Sequence, residues 1–461
     1  MATDGASSPA ATLERLRKTF ISGRTRDIAW RRAQLEALRA LCLEGEAQLV
    51  AALQADFSKP PFDTKITETR TVAREIDHAL PLLARWMRGR RASVPWALWP
   101  GSARIMPEPL GVALVIAPWN YPVQLLLSPL IGALAAGNCA VLKPSELTPH
   151  TSGALAELVP RYLDNDAIAI VTGGAATSTA LLAERFDHIF FTGGAQVGRV
   201  VMEAAAKHLT PVVLELGGKS PCVIAADADI KIAAERIVWG KFLNAGQTCV
   251  APDYVLVERV RHDALIDALR ATIARFFGSD PKASPAFARI VSEKHVERLA
   301  SYLDGGRVVI GGEVDRASRY IAPTVLADVR ADAPVMREEI FGPILPVLAV
   351  ENVEGAIGFI NARDKPLALY LFTADARVRE AVIGGTSSGG VVVNDVVVHL
   401  AVPSLGFGGV GMSGFGRYHG QAGFETFSNM KGVLARRLWR EPPLRTPPHT
   451  EAKLRWIDRL M

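Results

Sequence analysis

The stretch VALVIAPWNYPVQLLLSPLIGALAAGNCAVL, from Val112 to Leu142, decides the fold. It contains no charged residue and is long enough to span a bilayer. However, Pro118, Asn120, Pro122 and Pro129 interrupt it, and proline disrupts a helix interior. A buried strand, a turn, a helix and a second strand therefore describe the stretch better than a membrane span.

Similar apolar runs recur along the following hundred residues and alternate with helical patterns. The predicted strands are Val112–Ala117, Cys139–Leu142, Ala167–Val171, Ile189–Phe191 and Val212–Leu214. The predicted helices are Ser128–Ala136, Ser152–Leu163, Ser178–Arg185 and Val197–His208. Wholly apolar strands separated by helices predict a parallel sheet covered on both faces, which binds ligands at the carboxyl ends of its strands.

A second α/β region follows the first, and a helical region precedes both. The predicted later elements are a helix at Ile230–Leu243 and strands at Pro221–Ala225, Tyr254–Glu258, Val308–Ile310, Ile344–Val350, Leu367–Phe372 and Gly390–Asn394. Near the N-terminus, Arg26–Gln54 has helical spacing and is divided at Gly45. The predicted fold class is α/β, with a Rossmann-like parallel sheet and a second α/β domain.

Composition indicates a large globular protein. Of the 461 residues, 49% are hydrophobic, which predicts two or three domains. The net charge of +5 is small for this length and argues against a nucleic-acid-binding protein. The four cysteines form neither a zinc motif nor a disulfide framework, and the N-terminus lacks a secretory signal, so we expect no metal and a cytoplasmic location.

One cysteine lies in a distinctive polar loop, Asn244-Ala-Gly-Gln-Thr-Cys249-Val-Ala-Pro-Asp-Tyr254. A thiol in partly exposed polar surroundings can act as a nucleophile. A free cysteine is more often a small buried hydrophobic side chain. The loop alone leaves both interpretations open.

Other short motifs are spaced along the chain between about residues 25 and 430. In order they are APWNYP (117–122), LKPSE (142–146), FTGGAQVG (191–198), LELGGK (214–219), EEIFGP (338–343), GGVGMSG (408–414), YHG (418–420) and FETF (424–427). Each motif is weak alone, but the set and its order are specific. The sequence resembles the aldehyde dehydrogenase superfamily, and NAGQTCVAPDY resembles its class 3 branch, which includes fatty-aldehyde and coniferyl-aldehyde dehydrogenases.

The resemblance implies that aldehydes are oxidised to carboxylic acids through covalent catalysis. It identifies Cys249 as the nucleophile, Glu215 as the general base, and Asn120 as an oxyanion donor together with the backbone N–H of Cys249. A thiohemiacetal would lose hydride and leave a thioester, which water would then cleave. A surface position for Glu215 is disfavoured by Gly217 and Gly218, which indicate close backbone approach.

The resemblance also implies NAD as the cofactor, with NADP as an alternative. The pyrophosphate loop is expected at a helix N-terminus, and it comprises Gly193, Gly194, Ala195, Gln196, Val197 and Gly198. The family more often has Ser-Thr at Gly194-Ala195, which puts a hydroxyl contact to phosphate in doubt. The family's Pro-Phe-Gly-Gly is Gly406-Phe-Gly-Gly409 here, which puts the local loop geometry in doubt.

Further cofactor contacts follow from the same resemblance. Trp119 is expected to contact the cofactor, Glu339 to hold the nicotinamide ribose, and Phe341 to pack near the nicotinamide ring. Lys143 and Glu146 are expected at the adenosine ribose, where a carboxylate repels a 2′-phosphate and favours NAD. The alternative for Lys143 and Glu146 is a solvated first turn of a helix.

Three functions remain open at this point. A relative that passes the thioester to coenzyme A generally lacks the glutamate base, so Glu215 favours release of a carboxylic acid. A non-catalytic structural protein on the same fold is disfavoured because Cys249, Asn120, Glu215 and Glu339 are all present. The branch suggests aromatic or medium- to long-chain aliphatic aldehydes, by analogy alone.

The resemblance also implies a domain organisation and a homodimer. The expected dinucleotide-binding domain comprises residues 1–91 and 108–214, and the catalytic domain residues 215–410. Residues 92–107 and 411–461 would form the oligomerisation element and the C-terminal segment. The elements that join the two subunits of the dimer are expected to be a hairpin at Ala92–Pro107 and a late strand near Gly432–Leu438.

The C-terminal segment, Glu451–Met461, predicts a short amphipathic helix. Leu454, Ile457 and Met461 recur on one helical face, and Lys453, Arg455, Trp456 and Arg459 accompany them. We expect no transmembrane segment, because no long apolar run follows. Three roles remain open for the helix: docking on its own or the partner subunit, peripheral contact with a membrane surface, and a cover over the substrate tunnel.

Overall fold

The computed structural model describes residues 8–438 and 446–460. Helices and strands alternate along most of that chain. The helices are α1 (Pro9–Ile21), α2 (Ile28–Glu44), α3 (Glu46–Phe57), α4 (Pro61–Thr64), α5 (Arg70–Met87), α6 (Gln124–Ala136), α7 (Pro149–Tyr162), α8 (Ala175–Leu182), α9 (Ala195–Ala206), α10 (Ile230–Phe242), α11 (His262–Phe277), α12 (Glu293–Ala300), α13 (Val353–Asn361), α14 (Ala376–Gly385), α15 (Gly420–Thr426) and α16 (Glu451–Leu460).

The strands assemble into three main sheets and one two-stranded ribbon. They are β1 (Arg90–Ala92), β2 (Gly101–Pro109), β3 (Val112–Ile116), β4 (Cys139–Lys143), β5 (Ile168–Ile170), β6 (His188–Thr192), β7 (Val212–Glu215), β8 (Pro221–Ile224), β9 (Tyr254–Glu258), β10 (Arg307–Ile310), β11 (Val314–Asp315), β12 (Tyr320–Ile321), β13 (Thr324–Ala327), β14 (Ile344–Val350), β15 (Ala368–Phe372), β16 (Gly390–Val393), β17 (Gly414–Phe415) and β18 (Ser428–Arg436).

The first sheet has the order β17-β7-β6-β3-β4-β5. Strands β3 to β7 run parallel, and β17 pairs antiparallel to β7 at one edge. Every residue of β3, β4 and β6 is buried, as expected for a sheet covered by helices on both faces. The predicted strands and helices of this region are confirmed, with ends that differ by a few residues.

The second sheet has the order β10-β13-β14-β9-β8-β15-β16, with only the edge strand β10 antiparallel. The predicted strands of this region are confirmed, including Tyr254–Glu258 and Ile344–Val350 at their predicted bounds. Strand β13 is absent from the predicted set. Its four buried residues form too short an apolar run to distinguish a strand from a loop.

A small antiparallel sheet of order β1-β2-β18 joins the middle of the chain to its end. Strand β2 pairs with β1 through Arg90↔Ile105 and with β18 from Ser428↔Pro109 to Arg436↔Gly101. The expected hairpin and late strand are therefore both present. The hairpin begins and ends about two residues outside the predicted bounds, and the late strand begins and ends earlier than predicted.

The carboxyl ends of four adjacent parallel strands form the edge at which the site lies. Lys143 ends β4 and Glu215 ends β7, while the turns after β3 and β6 carry Asn120 and Gly193. Backbone hydrogen bonds tie neighbouring ends together, from Ala117 N–H to the Lys143 carbonyl (3.1 Å) and from Gly193 N–H to the Glu215 carbonyl (3.0 Å). The topology thus gathers residues that are far apart in sequence.

The C-terminal helix α16 forms as predicted, although Met461 lies outside the described residues. Leu454 is 58% exposed and Ile457 is partly buried, so the described part of the chain covers this apolar face only in part. Among residues 8–438 and 446–460, no helix is long and apolar enough to cross a membrane.

We predict that Gly414→Ala lowers the free energy of unfolding by about 2–4 kcal/mol. Gly414 has a φ of +118°, and an added Cβ would lie 1.9 Å from the Leu214 carbonyl oxygen on the strand that ends at Glu215. Denaturation in urea measures the effect. Gly432→Ala is the matched control, since its Cβ would meet nothing within 4 Å. Equal unfolding midpoints for the two variants would contradict the prediction.

Candidate active site

Two cavities meet at Cys249. One, of about 240 Å³, is lined by Trp119, Asn120, Gly193, Gly194, Glu339 and Phe341 among others. The other, of about 190 Å³, is largely apolar, and its lining includes Tyr121, Trp239, Val250, Val397, Phe407 and Tyr418. Cys249 and Glu215 line both cavities. A group bound in one cavity can therefore meet a group bound in the other at the thiol.

The cysteine loop begins with an unusual backbone. Asn244, Ala245 and Gly246 have φ values of 54°, 53° and 74°, three consecutive residues in the left-handed region that L side chains rarely adopt. Gly246 is required here, because a Cβ would lie 2.2 Å from the Gly342 carbonyl oxygen. This close approach packs the cysteine loop against the segment that carries Glu339 and Phe341.

Buried hydrogen bonds hold the loop in that conformation. The Gln247 side-chain amide donates to the carbonyls of Asn244 and Arg289 (3.0 Å each) and accepts from Val291 N–H (2.9 Å). On the other side of the cysteine, the Tyr370 hydroxyl donates to the Val250 carbonyl. The thiol therefore lies on a loop that is fixed on both sides.

Asn120 is 2% exposed and is bonded directly to this loop. Its side-chain N–H donates to the Gln247 carbonyl (3.0 Å), and its own backbone carbonyl accepts from the Asn244 amide (2.9 Å). A side-chain amide carries two N–H donors. One therefore remains for an oxygen in the cavity that Asn120 shares with Cys249.

Glu215 is 3% exposed, so the surface interpretation of this residue is wrong. Neither carboxyl oxygen has a hydrogen-bond partner within residues 8–438 and 446–460. Burial raises the pKa of Glu215 well above its usual value, and the positive charge of Arg417 opposes the shift only in part. A carboxylate with a raised pKa is a stronger base than the carboxylate of an exposed glutamate.

Cys249 differs from the other cysteines in its surroundings. Cys42, Cys139 and Cys222 are fully buried in the apolar core, as a small hydrophobic side chain would be, whereas Cys249 is partly exposed. Burial of its sulfur and the nearby carboxyl groups of Glu339 and Glu215 raise the pKa of the Cys249 thiol. In the free protein the thiol is therefore protonated at neutral pH.

Glu339 lies beside the first cavity in close contact with a glycine. A Cβ on Gly217 would lie 1.9 Å from Glu339 Oε2, which explains the glycine after β7. Glu339 Oε1 is buried and has no hydrogen-bond partner in the described chain. Burial, with the negative charge of Asp253, raises the pKa of Glu339 to about 8.

The glycine-rich turn after β6 reaches the same cavity. Gly194 caps α9 without a side-chain hydrogen bond, and a Cβ there would meet nothing within 4 Å, so the backbone N–H groups at this helix end are open to a ligand. Ala195, Gln196, Val197 and Gly198 form the first turn of α9 and do not line the cavity. Gly198 instead permits close packing, because a Cβ would lie 2.9 Å from Leu216 Cδ2.

Lys143 and Glu146 lie outside the cavity lining. Lys143 is buried, and its ammonium donates to the Glu146 carboxylate (3.1 Å) and the Pro144 carbonyl (2.8 Å). The following helix, α7, begins only at Pro149. The alternative of a solvated helix start is therefore wrong for Lys143, whereas the half-exposed Glu146 lies in a turn three residues before α7 begins.

Gly406, where the family has proline, has a φ of +63°. Proline is held near a φ of −65° and cannot adopt that conformation. The loop at this position consequently has a geometry that the family's usual residue excludes.

Two residues of the first cavity, Arg298 and His295, are not among the residues predicted from the sequence. Arg298 and His295 lie three apart on α12, and Arg298 donates to the carbonyls of Glu339 (3.2 Å) and Ile340 (2.7 Å). The His295 ring lies 5.3 Å from that of Trp119. Their helical spacing was visible, but nothing in one sequence places α12 next to Trp119.

Comparison with known proteins identifies this arrangement. The model of the aldehyde dehydrogenase family matches residues 6–433. The chain belongs to the aldehyde dehydrogenase family. It is 51% identical over 446 residues to aldehyde dehydrogenase family 3 member A2 of Rattus norvegicus, covering 96% of this chain and 92% of that protein.

Solved structures of the family share the fold. Staphylococcus aureus AldH, in a substrate-bound state, matches with a TM-score of 0.95 and 41% identity over 98% of this chain and 99% of that one. An indole-3-acetaldehyde dehydrogenase in complex with NAD+ matches with a TM-score of 0.83 and 26% identity over 94% and 90%. The protein is therefore an oxidoreductase that oxidises aldehydes with NAD(P).

We predict that iodoacetamide alkylates Cys249 more slowly at pH 7.5 than it alkylates free cysteine. The raised thiol pKa leaves less thiolate at that pH, and the rate should still be rising above pH 9. The measurement is the alkylation rate of the cofactor-free protein against pH, with Cys249→Ala as the background control. A rate that levels off below pH 8 would show a depressed pKa instead.

Proposed function

We propose that Cys249 is the nucleophile, Glu215 the general base and Asn120 an oxyanion donor in the oxidation of aromatic or medium- to long-chain aliphatic aldehydes to carboxylic acids. The observation that carries this proposal is the meeting of two cavities at Cys249, with Glu215 lining both. One cavity is polar enough for a cofactor and the other apolar enough for an aldehyde side chain.

In the first half of the reaction the Cys249 sulfur adds to the aldehyde carbon and its S–H proton passes to solvent water, so that a thiohemiacetal oxyanion forms. The free N–H of the Asn120 amide and the backbone N–H of Cys249 donate to that oxygen, and one such donor typically contributes about 3 kcal/mol. Bound NAD(P) supplies the acceptor for the hydride that leaves the carbon. The oxyanion electrons then form the thioester carbonyl.

In the second half, water cleaves the thioester. Glu215 removes a proton from the water as the water oxygen attacks the thioester carbon, and it passes that proton to the departing sulfur, so the thiol is restored and a carboxylic acid leaves. The support for this role is a buried carboxyl with no competing hydrogen bond in the described chain. Its raised pKa makes it a stronger base than an exposed glutamate.

The residues of the first cavity fit a nicotinamide cofactor. The unpartnered Oε1 of Glu339 would accept from a ribose hydroxyl, and the edge-to-face pair of Trp119 and Phe341, with centroids 5.2 Å apart, would flank the nicotinamide side. The turn from Gly193 to Gly198 would hold pyrophosphate through backbone N–H groups. Lys143 and Glu146 would hold the adenosine ribose, and the half-exposed Glu146 carboxylate favours NAD over NADP.

The second cavity supports the substrate class. Its lining is dominated by side chains such as Leu125, Trp239, Leu243, Val397 and Phe407. Each buried methylene group contributes about 0.8 kcal/mol to binding. Release of a free acid is favoured over transfer to coenzyme A, because Glu215 is available to activate water.

We also propose that the protein is a cytoplasmic homodimer with the domain boundaries expected from the sequence. Support for the dimer is strand β18, which lies at an edge of the small sheet with Leu434 52% exposed. Such an edge can pair with another strand. The position of α16 leaves partner docking, contact with a membrane surface and a tunnel cover as roles to be distinguished.

The proposed substrate class predicts a preference for longer aldehydes. Steady-state NADH formation should give a kcat/KM at least about tenfold higher for octanal or benzaldehyde than for acetaldehyde, since two extra buried methylenes exceed 1.4 kcal/mol. NAD should support a higher kcat/KM than NADP. Equal values for acetaldehyde and octanal would contradict the substrate class, and activity in the Cys249→Ala control would contradict the nucleophile.

We predict that Glu215→Gln separates the two halves of the reaction. The thioester should form but not hydrolyse, so rapid mixing should show about one NADH per active site, followed by turnover roughly a hundredfold slower than wild type. The exposed Glu380, which lines neither cavity, provides the control Glu380→Gln, which should behave as wild type. An unchanged steady-state rate in Glu215→Gln would remove this residue from the mechanism.

A further inference from the structure

We infer that a buried ion pair between Lys59 and Glu68 positions the oxyanion donor and the cysteine loop for aldehyde oxidation. Neither residue lines the two cavities at Cys249, so both act through other residues. The inference rests on the proposed role of Asn120. It adds a pair of positioning residues from the N-terminal helical region, to which no catalytic motif belongs.

The pair is completely enclosed. Lys59 Nζ lies 2.6 Å from Glu68 Oε1, and both side chains are 0% exposed. Lys59 lies between α3 and α4, and Glu68 lies in the π-helical turn Lys65–Thr69 before α5. Burial of two charges removes both from water, and such a pair often stabilises a protein no more than apolar residues of equal volume would. A contribution to stability alone therefore does not account for the buried ion pair of Lys59 and Glu68.

The second oxygen of Glu68 fixes the start of α6. Glu68 Oε2 accepts from the backbone N–H groups of Val123 and Gln124, at 2.9 Å each. No side chain near the start of α6 provides this cap, so the carboxylate performs it from fifty-five residues away in sequence. Asn120 lies three residues before Val123, with Tyr121 and Pro122 between them, so the cap constrains the position of the Asn120 amide.

Lys59 reaches the cysteine loop through an aromatic ring. Its ammonium lies 3.9 Å from the centroid of the Tyr121 ring, which is a cation–π distance. The Tyr121 hydroxyl in turn lies 2.7 Å from Thr248 Oγ1, next to Cys249 in the chain. The two charges therefore hold two groups that must face each other, the donor at Asn120 and the thiol at Cys249.

The same pair is joined to the wall of the apolar cavity. Ile66 and Thr67, which precede Glu68 in the π-helical turn, both line that cavity. A displacement of Glu68 would therefore move the substrate wall and the oxyanion donor together. The expected consequence is a loss in the hydride-transfer rate, with little change in affinity for the cofactor.

The experiment is a double-mutant cycle between Glu68→Gln and Asn120→Ala. NADH formation is followed in single turnover with octanal, enzyme in excess and NAD saturating. Glu68→Gln should lower the rate about tenfold or more in the wild-type background, and by less than about twofold when Asn120 is already alanine. The dissociation constant for NAD should stay within about twofold of wild type.

Two further variants separate positioning from folding. The double variant Lys59→Met/Glu68→Gln removes both charges and avoids an unpaired buried ion. Its single-turnover rate of NADH formation should remain low, while its thermal unfolding should remain cooperative. Asp56→Asn is the matched control, because Asp56 is a buried carboxylate that caps α7 in the same remote manner, at 3.0 Å from His150 N–H and 2.9 Å from Thr151 N–H. It should leave the single-turnover rate within about twofold of wild type.

The outcomes distinguish this inference from the proposed function. A wild-type rate in both Glu68→Gln and the double-charge variant, or effects of Glu68→Gln and Asn120→Ala that multiply, would overturn the positioning role and leave the oxyanion donor intact. A wild-type rate in Asn120→Ala would overturn the donor assignment and the positioning role that depends on it. A low single-turnover rate in Asp56→Asn would show that loss of a remote cap on another helix has the same effect, and this result would also overturn the inference.

Discussion

The contact between Gly246 and the Gly342 carbonyl is the constraint on which the site depends. It allows the cysteine loop to follow a left-handed path and to lie against the segment of Glu339 and Phe341. Non-glycine residues in such conformations cost roughly 1–3 kcal/mol each and persist only where the surroundings fix them. Here Gln247, with three hydrogen bonds to neighbouring backbone groups, provides that fixation and holds Cys249 where the two cavities meet.

Burial of ionisable groups without partners is the second property of the site. Glu215 and Glu339 both carry carboxyl oxygens without hydrogen-bond partners in the described chain, and their pKa values are raised. Each raised pKa means that ionisation is disfavoured in the folded state, which reduces stability as pH rises above the usual carboxyl range. In a water-poor environment of this kind, a hydrogen-bond donor interacts more strongly with a developing negative charge than it would in water.

Much of the fold and part of the site could be predicted from the sequence, because the relevant signals are local. Wholly apolar runs such as Val112–Ile116 identify buried parallel strands, and the motifs around Asn120, Glu215 and Cys249 predict residues that the structure brings together at the two cavities. The predicted bounds of the hairpin and of β18 differ from the observed ones, because hydrogen bonding to the neighbouring strand decides where a strand ends. Arg298 and His295 could not be found, since their part in the cavity arises from packing between distant segments.

Helix capping shows where local information ends. Helices α2, α10, α12, α13 and α14 begin with Asp, Ser or Asn side chains that accept from their own first turns, and these caps are visible in the sequence. Helices α6 and α7, which follow the strands that end at the site, are instead capped by Glu68 and Asp56 from the N-terminal helical region. A local cap would stabilise each helix but leave its position free. A remote cap fixes the helix against another layer, so these two carboxylates tie α6 and α7 to the N-terminal helical region.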